Sequence, residues 1–220
     1  MSQIQNISQE AQFLINEICR GFLINFSSCL LRNYEKFVIT NGDIDILIKK
    51  KDLKRALEFF KDYCLTHPST ISHSKIKNYE IKFNLSFPGN LMDKFHFQSE
   101  ARLFGLVKIV DTDVILNSRV KFNDYFIPAP AYEAILLLFH ANTRTARYLF
   151  SASQIKPKYK EKLKLLFDIH RDEINDLLVS HFGEHLGRKI ISRLTNNKTF
   201  KLGMLKYRIL LSLLKKKSIK

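Results

Sequence analysis

The fold is decided by the segment Asn41-Gly42-Asp43-Ile44-Asp45-Ile46-Leu47-Ile48. Asn-Gly favours a tight turn, and the alternation that follows is typical of a strand. Because side chains alternate across a strand, Asp43 and Asp45 are expected on one face and the isoleucines on the other. Two neighbouring carboxylates repel each other unless a cation lies between them, and Mg²⁺ prefers such oxygen ligands. The segment therefore predicts a Mg²⁺ (or Mn²⁺) site at Asp43 and Asp45; the alternative is a solvated turn that leads into an edge strand.

The residues around this segment predict a succession of strands and helices as far as Pro128. Apolar residues recur at helical spacing in the predicted helices, whereas they alternate with polar residues in the clearest strands. The expected elements are helices over 8–20 and 52–65, the second capped by Asp52, and strands over 22–32, 37–48, 79–87, 93–100, 106–110 and 125–127. The strands over 79–87 and 93–100 are separated by Pro88-Gly89-Asn90 and are expected to pair antiparallel.

Beyond Pro128 and Pro130 the sequence pattern becomes helical. Helices are predicted over 131–150, 157–181, 183–195 and 200–217. The chain is therefore expected to be α+β, with strands and helices in residues 1–127, followed by an all-helical domain in residues 128–220.

Charge is distributed unevenly along the chain. Its 220 residues contain 36 Lys and Arg against 21 Asp and Glu, which gives a formal net charge of +15. Residues 1–127 contain 17 basic and 14 acidic residues, whereas residues 128–220 contain 19 basic and 7 acidic residues. Most of the excess therefore lies in the predicted helical domain. A cationic surface of this kind attracts anionic substrates, nucleic acid or an anionic membrane.

Composition excludes several classes of protein. Hydrophobic residues make up 45% of the chain, which is too many for an intrinsically disordered protein. Cys19, Cys29 and Cys64 show no metal-binding spacing, so neither a zinc module nor a disulfide framework is expected. The first residues lack a signal-peptide pattern, and the longest apolar run, 134–139, is too short to cross a bilayer. A cytoplasmic protein is therefore expected.

Several short motifs occur in a characteristic order. They are Leu30-Leu31-Arg32-Asn33-Tyr34-Glu35, Gly42-Asp43-Ile44-Asp45-Ile46-Leu47-Ile48, Asp52-Leu53 at the start of a helix, and Ile127-Pro128-Ala129-Pro130 before Glu133. In this order they resemble the nucleotidyltransferase superfamily, in particular the nucleotidyltransferase-like proteins encoded in bacterial surface-polysaccharide loci. The resemblance implies a nucleotidyltransferase-like mixed sheet in which Asp43 and Asp45 bind Mg²⁺ and a nucleoside triphosphate. It also implies transfer of the nucleotidyl group to a hydroxyl or a sugar phosphate in polysaccharide biosynthesis.

Two departures from the superfamily pattern concern phosphate binding and catalysis. The superfamily carries a Gly-Ser pair shortly before the two aspartates, whereas this chain has Ser27-Ser28-Cys29 in that region. The superfamily also has a third carboxylate on a later strand, and the matching position here is His96 or Asn84. Three possibilities are open: His96 replaces the carboxylate as the catalytic base, another acid reaches the site, or the site binds without catalysing.

Five further residues are candidates for substrate binding. The guanidinium group of Arg32 can hold a phosphate, or form a salt bridge with a nearby carboxylate. Asn41 and Gly42 form the turn immediately before the aspartates. His140 and Arg144 are one helical turn apart and can line a cleft for an anionic acceptor; the alternative is a solvated basic helix face.

Two classes of function fit the sequence. In the first, the chain is a Mg²⁺-dependent nucleotidyltransferase that binds a nucleoside triphosphate and an anionic acceptor such as a sugar phosphate. In the second, it is a catalytically silent member of the same fold that docks on nucleic acid, an anionic membrane or a partner enzyme through its basic C-terminal helices. The predicted helix 200–217 has an apolar stripe flanked by Lys and Arg, which fits either a core helix or a membrane-surface helix.

Overall fold

The computed structural model describes residues 17, 20–22, 25–31, 43–87, 91–103, 107–122, 125–142 and 157–195. Within these residues the strands are β1 (Ser28–Leu31), β2 (Asp43–Ile48), β3 (Thr70–Lys77), β4 (Glu80–Phe87), β5 (Leu91–Gln98), β6 (Ala101–Leu103), β7 (Val107–Val110), β8 (Val120–Phe122) and β9 (Tyr125–Ile127). The helices are α1 (Leu53–Thr66), α2 (Thr112–Asn117), α3 (Pro130–Asn142), α4 (Pro157–Ile169), α5 (Arg171–Phe182) and α6 (Glu184–Thr195). The predicted helix 200–217 and most of the predicted helix 8–20 lie outside the described residues.

The chain forms two compact units. The first consists of Met1–Glu100 and Val110–Pro128, and the second of Ala101–Ile109 and Ala129–Lys220. The first unit contains a mixed sheet with α1 and α2, and the second contains α3 to α6. The predicted α+β class is therefore confirmed. The domain limits 1–127 and 128–220 stay a prediction. Residues Ala101–Ile109, which were expected in the first domain, pack with the second unit.

Five strands of the first unit form one mixed sheet in the order β1-β2-β5-β4-β3. β2 and β5 are parallel, and the other neighbours are antiparallel. The predicted pairing of 79–87 with 93–100 is confirmed as the pairing of β4 with β5, in which Phe83 lies opposite Phe95. β2, which carries both aspartates, lies between β1 and β5. The alternative in which the aspartates lead into an edge strand is therefore wrong.

One face of this sheet packs on α1 through an aromatic core. Phe83, Phe95 and Phe97 alternate with polar residues along β4 and β5, and each is at most 1% exposed. Phe60 of α1 lies against them, with its ring centroid 5.1 Å from that of Phe83 and 4.8 Å from that of Phe95. Aromatic rings bury large apolar areas and dominate the energetics of such a core. The opposite face of β4 and β5 carries the polar residues of these strands and is the face that can host chemistry.

Asp52 precedes α1 but does not cap it as predicted. Its side chain makes no hydrogen bond to the start of the helix, and its backbone is already helical (φ −94°, ψ −6°). The carboxylate accepts a hydrogen bond from Nη1 of Arg55 at 3.2 Å instead. The chain enters α1 through a 3-10 turn at Lys50–Asp52. Asp52 therefore lacks the extended backbone that an N-cap residue usually has.

The predicted strand over 22–32 begins later than expected. Gly21, Phe22 and Asn25 are helical, and the amide of Phe26 donates to the carbonyl oxygen of Phe22 at 3.0 Å. The rings of Phe22 and Phe26 stack with centroids 4.5 Å apart, and both rings are buried. Helical spacing lets both rings enter one core, so tertiary packing overrides the strand propensity of this apolar run. β1 consequently begins at Ser28.

The sequence pattern does not predict β3 or α2. In the described part of the sheet β3 is an edge strand, and its pairing with β4 shifts register between Ser72 and Lys75. The shift interrupts the apolar alternation, and Ile76 is 60% exposed. α2 is only six residues long and is capped by Asp111, whose carboxylate accepts from the amide of Asp113 at 3.0 Å. Such short or shifted elements leave no periodic signal in the sequence.

The helical pattern over 157–181 belongs to two helices. α4 ends at Ile169, and α5 begins at Arg171 after His170, whose backbone is not helical (φ −115°, ψ 35°). Asp172 and Glu173 in the first turn of α5 favour a helix start there, because acidic side chains stabilise a helix N-terminus. The prediction of one continuous helix is therefore wrong. The predicted helix 183–195 is confirmed as α6, whereas α3 covers 130–142 and the rest of the predicted helix 131–150 lies outside the described residues.

Two close contacts join the helices of the second unit. Glu133 of α3 is 3% exposed and forms an ion pair with Lys162 of α4. Gly187 of α6 lies so close to α5 that a Cβ atom there would approach Cα of Val179 to 2.7 Å. A side chain at position 187 would therefore push α5 and α6 apart. Among the helices in the described ranges, none has both the length and the apolar character needed to span a membrane.

Candidate functional site

A carboxylate and an imidazole meet on the polar face of the sheet. Asp45 on β2 is the register partner of His96 on the parallel strand β5. Oδ1 of Asp45 lies 2.9 Å from Nδ1 of His96. Asp45 is 8% exposed, and the side chain of His96 is 18% exposed. A carboxylate this buried needs a hydrogen-bond partner, because an unpaired charge is costly away from water, and His96 is such a partner.

A second carboxylate holds the other side of the same ring. Oε2 of Glu80, the first residue of β4, lies 3.1 Å from Nε2 of His96. Each ring nitrogen of His96 can donate a hydrogen bond to the carboxylate that it faces. Both ring nitrogens are engaged in this arrangement. His96 would therefore have to release one hydrogen bond before it could accept a proton from a substrate.

Two lysines hold Glu80 in turn. Oε1 of Glu80 lies 2.5 Å from Nζ of Lys77, and Oε2 lies 3.8 Å from Nζ of Lys82. Burial alone would raise the pKa of the Glu80 carboxyl, but the hydrogen bond from Lys77 and the positive charges of Lys82 and His96 lower it below its usual value of 4.5. Glu80 is therefore ionised at neutral pH and fixes one side of the His96 ring.

Strand alternation explains why these groups meet. His96 lies between two buried phenylalanines on β5, and Glu80 precedes the buried Ile81 on β4. Burial of the apolar side chains directs the intervening polar ones to the other face of the sheet. β5 pairs with β2 on one side and with β4 on the other. The register of these two pairings brings Asp45 and Glu80 to opposite sides of His96.

Among the predicted site residues, Asp45 and His96 are in contact. Asp43 lies on β2 opposite Lys94, but its side chain lies outside the described residues, as does that of His140 on α3. Whether the two aspartates share a face and bind a metal therefore stays a prediction. The same holds for the binding roles of the other predicted residues, which lie wholly outside the described ranges: Arg32, Asn41, Gly42 and Arg144.

Glu80 is a site residue that the sequence does not single out. Its position relative to His96 depends on the register of β4 against β5, which pattern alone does not supply. The available signal is its alternation with Lys82 and Asn84, which places all three on one strand face. Of the three possibilities left open by the sequence, this arrangement fits an acid reaching the site, although Glu80 contacts His96 rather than the aspartate itself.

The carboxylates at this site are of the type that binds magnesium. Carboxylate oxygens are the ligands that Mg²⁺ prefers, and it commonly takes one or two of them together with substrate phosphates. Asp45 can supply one carboxylate, and Asp43 is the predicted second. In the ranges that the structure describes, no group of three His, Cys, Asp or Glu side chains is arranged to hold a metal ion. A metal at this position would therefore depend on Asp43 and on oxygens of a bound substrate.

Replacing Glu80 by Gln is expected to destabilise the protein at neutral pH and not in acid. The folded-state pKa of Glu80 is lowered, so its charge stabilises the fold above the usual pKa of 4.5, and this stabilisation is lost as the pH falls through the folded-state value. Loss of a hydrogen bond to a charged group predicts a decrease of about 1 kcal/mol in the free energy of unfolding at neutral pH. Urea unfolding at neutral and at acid pH measures this decrease, and the replacement of the exposed Glu58 by Gln is the control. An equal decrease in the free energy of unfolding at acid pH would contradict the conclusion that the charge of Glu80 stabilises the fold.

Comparison with known proteins finds a distant likeness. No family model matches the sequence, and no curated protein matches it. The solved structure of JHP933 from Helicobacter pylori aligns with a TM-score of 0.40 and 14% sequence identity, covering 100% of this chain and 97% of that chain. A structure named "putative nucleotidyltransferase from H. pylori" aligns with a TM-score of 0.43 and 16% identity, covering 100% of this chain and 99% of that chain. TM-scores this low do not establish a common fold, so neither likeness decides the function of this chain.

Proposed function

We propose that this chain is a nucleotidyltransferase, which transfers a nucleotidyl group from a nucleoside triphosphate to an acceptor hydroxyl or sugar phosphate. The observation that carries the proposal is the contact between Asp45 and His96. The second aspartate of the Asp-Ile-Asp motif is thus buried on an interior strand and lies within hydrogen-bonding distance of an imidazole. The resemblance of this motif to the metal-binding strand of nucleotidyltransferases supports the same assignment.

The proposed reaction is an in-line displacement at phosphorus. An acceptor oxygen forms a bond to the α-phosphorus, while the bond from that phosphorus to the oxygen leading to the β-phosphate breaks. Pyrophosphate leaves with the electron pair of that bond, and a hydroxyl acceptor gives its proton to water. Catalysis of such a step consists mainly of alignment and of charge stabilisation.

Asp45 would hold Mg²⁺ or Mn²⁺ together with Asp43, the predicted second ligand. The cation, when bound, would offset the charge of the triphosphate and orient it. His96 keeps the Asp45 carboxylate oriented through Oδ1, and Glu80 restrains the ring from the other side. Partners of this kind fix the orientation of a ligand that itself touches the metal.

A second candidate function is binding without turnover. The observation in its favour is that carboxylates engage both ring nitrogens of His96, which leaves the ring without a nitrogen for a substrate proton. In that case the chain would hold a nucleotide and dock on nucleic acid, an anionic membrane or a partner enzyme. The basic residues of 128–220 would make that contact through salt-sensitive charge interactions.

The setting of the reaction is also part of the proposal. The resemblance to proteins of surface-polysaccharide loci makes a sugar phosphate the expected acceptor. The supply of nucleoside triphosphates makes the cytoplasm the expected compartment.

Two measurements on the full chain test the proposal and separate the two candidates. Binding of each common ribonucleoside triphosphate is measured by calorimetry with Mg²⁺ and with EDTA, and pyrophosphate release is followed with a panel of sugar phosphates as acceptors. The transferase predicts Mg²⁺-dependent binding of at least one nucleotide and release of pyrophosphate with at least one acceptor. Binding without release would support the silent module. Absence of Mg²⁺-dependent binding by every nucleotide would overturn the proposed function.

A further inference from the structure

Two lysines continue the row of side chains that contains Asp45 and His96. Lys82 on β4 is the register partner of His96 on β5, and Lys75 on β3 is the register partner of Lys82. Register partners on neighbouring strands direct their side chains to the same face of a sheet. Asp45, His96, Lys82 and Lys75 therefore form a single row across β2, β5, β4 and β3.

Two more lysines widen this row. Lys77 follows Lys75 by two residues on β3, and Lys94 precedes His96 by two residues on β5, so strand alternation puts both on the same face. The side chains of Lys77 and Lys82 are 42% and 47% exposed, and Lys75 and Lys94 are exposed as well. These four residues, Lys75, Lys77, Lys82 and Lys94, are called the lysine patch below.

The lysine patch is only partly neutralised by its neighbours in the described part of the chain. Glu80 pairs with Lys77 and Lys82, but no ion pair involves Lys75 or Lys94 among the described residues. Like charges directly opposite on neighbouring strands destabilise a sheet, and Lys75 lies directly opposite Lys82. A bound anion would relieve this repulsion. The patch thus has the charge and the arrangement of a surface that is completed by an anionic ligand.

We propose that the lysine patch binds a phosphate group of the acceptor substrate. The proposal rests on the proposed function, because it takes Asp45 as the place of reaction. Neighbouring strands are about 4.8 Å apart, so the backbone of Lys82 lies about 10 Å, and that of Lys75 about 14 Å, from the backbone of Asp45. A phosphate between these two lysines lies farther along the sheet than the phosphorus under attack, and we assign it to the acceptor. The outer phosphates of the nucleotide are the alternative that the test below distinguishes. The acceptor is accordingly a phosphorylated molecule whose reacting oxygen and phosphate are separated along the β2–β3 direction.

Lysine ammonium groups on an open sheet face suit this ligand. An ammonium group is a compact charge that binds phosphate without fixing the orientation of the ligand. Because the side chains are exposed, the interaction is screened by salt, and the affinity is expected to fall as ionic strength rises.

The variant Lys75→Gln should leave the fold intact, because the side chain of Lys75 is exposed. It should also raise the thermal midpoint of unfolding of the free protein, since it removes the like-charge pair of Lys75 and Lys82.

The test uses a double variant of the patch and a matched double variant elsewhere. Lys75→Gln/Lys82→Gln removes two charges from the patch, and Lys54→Gln/Lys61→Gln removes two exposed charges from α1 of the same unit. Glucose 1-phosphate and inorganic phosphate are the probes, glucose is the uncharged control, and binding is followed by nuclear magnetic resonance titration of the full chain. Binding of the Mg²⁺-nucleotides is measured in parallel.

We expect the patch variant to bind glucose 1-phosphate and inorganic phosphate about tenfold more weakly, equivalent to about 1.4 kcal/mol. Nucleotide binding should be unchanged in the single variant Lys75→Gln, which leaves the ion pair between Lys82 and Glu80 in place. The α1 variant should bind both probes like the wild type, and Lys75→Arg/Lys82→Arg should restore binding. Equal phosphate binding by the two Gln variants would overturn the proposal, and so would failure of the wild type to bind either probe. Loss of nucleotide binding in Lys75→Gln would assign the patch to the donor and overturn the acceptor assignment. Phosphate binding by the patch in a protein that binds no nucleotide would instead overturn the proposed function.

Discussion

Replacing Asp45 by Asn is expected to abolish Mg²⁺-dependent nucleotide binding. Asn has nearly the same shape and can still accept a hydrogen bond from His96, but it removes the negative charge that a hard cation requires. Loss of an outer partner of a metal ligand typically weakens metal affinity about 10- to 100-fold, and loss of the ligand itself should weaken it by at least about 100-fold. Calorimetric titration with the best nucleotide, with and without Mg²⁺, measures the change.

The matched control for this variant is Asp62→Asn. Asp62 lies on the exposed face of α1, in the same unit as Asp45. Its replacement by Asn changes the charge and the shape of the side chain in the same way as Asp45→Asn. Circular dichroism and thermal unfolding establish that each variant is folded. We expect Asp43→Asn to behave like Asp45→Asn and Asp62→Asn to behave like the wild type. Wild-type affinity in both Asp43→Asn and Asp45→Asn would remove the basis of the proposed function.

Replacing Lys162 by Met is expected to give a large loss of stability. The change leaves Glu133, which is 3% exposed, without the ion pair that offsets its charge. Breaking one side of a buried ion pair typically lowers the free energy of unfolding by about 3–5 kcal/mol, because the remaining charge stays buried after the opposite charge is removed. Urea unfolding followed by far-ultraviolet circular dichroism measures the loss. Lys164→Met, an exposed position on the same helix, is the control and should change stability by less than about 0.5 kcal/mol.

A double variant separates the ion pair from the packing of the two side chains. Glu133→Gln/Lys162→Met contains neither charge, so it should be more stable than Lys162→Met alone. A coupling energy of at least about 1 kcal/mol between the two positions is expected from direct contact. If the two changes simply add, the ion pair does not stabilise the α3–α4 contact.

The elements that follow from the sequence are those in which burial imposes a regular period. β4 and β5 alternate buried phenylalanines with polar residues, and α1 buries Leu53, Leu57 and Phe60 on one helical face. Elsewhere tertiary contacts decide the outcome. Phe22 and Phe26 belong to an apolar run that has strand character, yet they are accommodated as a helical turn because both rings enter the same core.

The candidate site was predictable in part for the same reason. The Asp-Ile-Asp alternation marks Asp45, and the resemblance points to His96 or Asn84 on later strands. Of these two, His96 contacts Asp45. Glu80 was not predictable, because its contact with His96 depends on how β4 is paired with β5. The lysine patch depends likewise on two registers, including the shifted pairing of β3, which no local pattern encodes.

The proposed function depends most on whether Asp45 lies at a metal-assisted nucleotide site. The most direct test is a crystal structure of the full chain grown with Mn²⁺ and a non-hydrolysable nucleoside triphosphate, with an anomalous difference map to locate the metal. We expect a Mn²⁺ peak in contact with carboxylate oxygens of Asp45 and Asp43, with triphosphate oxygens completing its ligands. A nucleotide bound away from β2, or bound beside Asp45 with no Mn²⁺ peak, would contradict the proposed function.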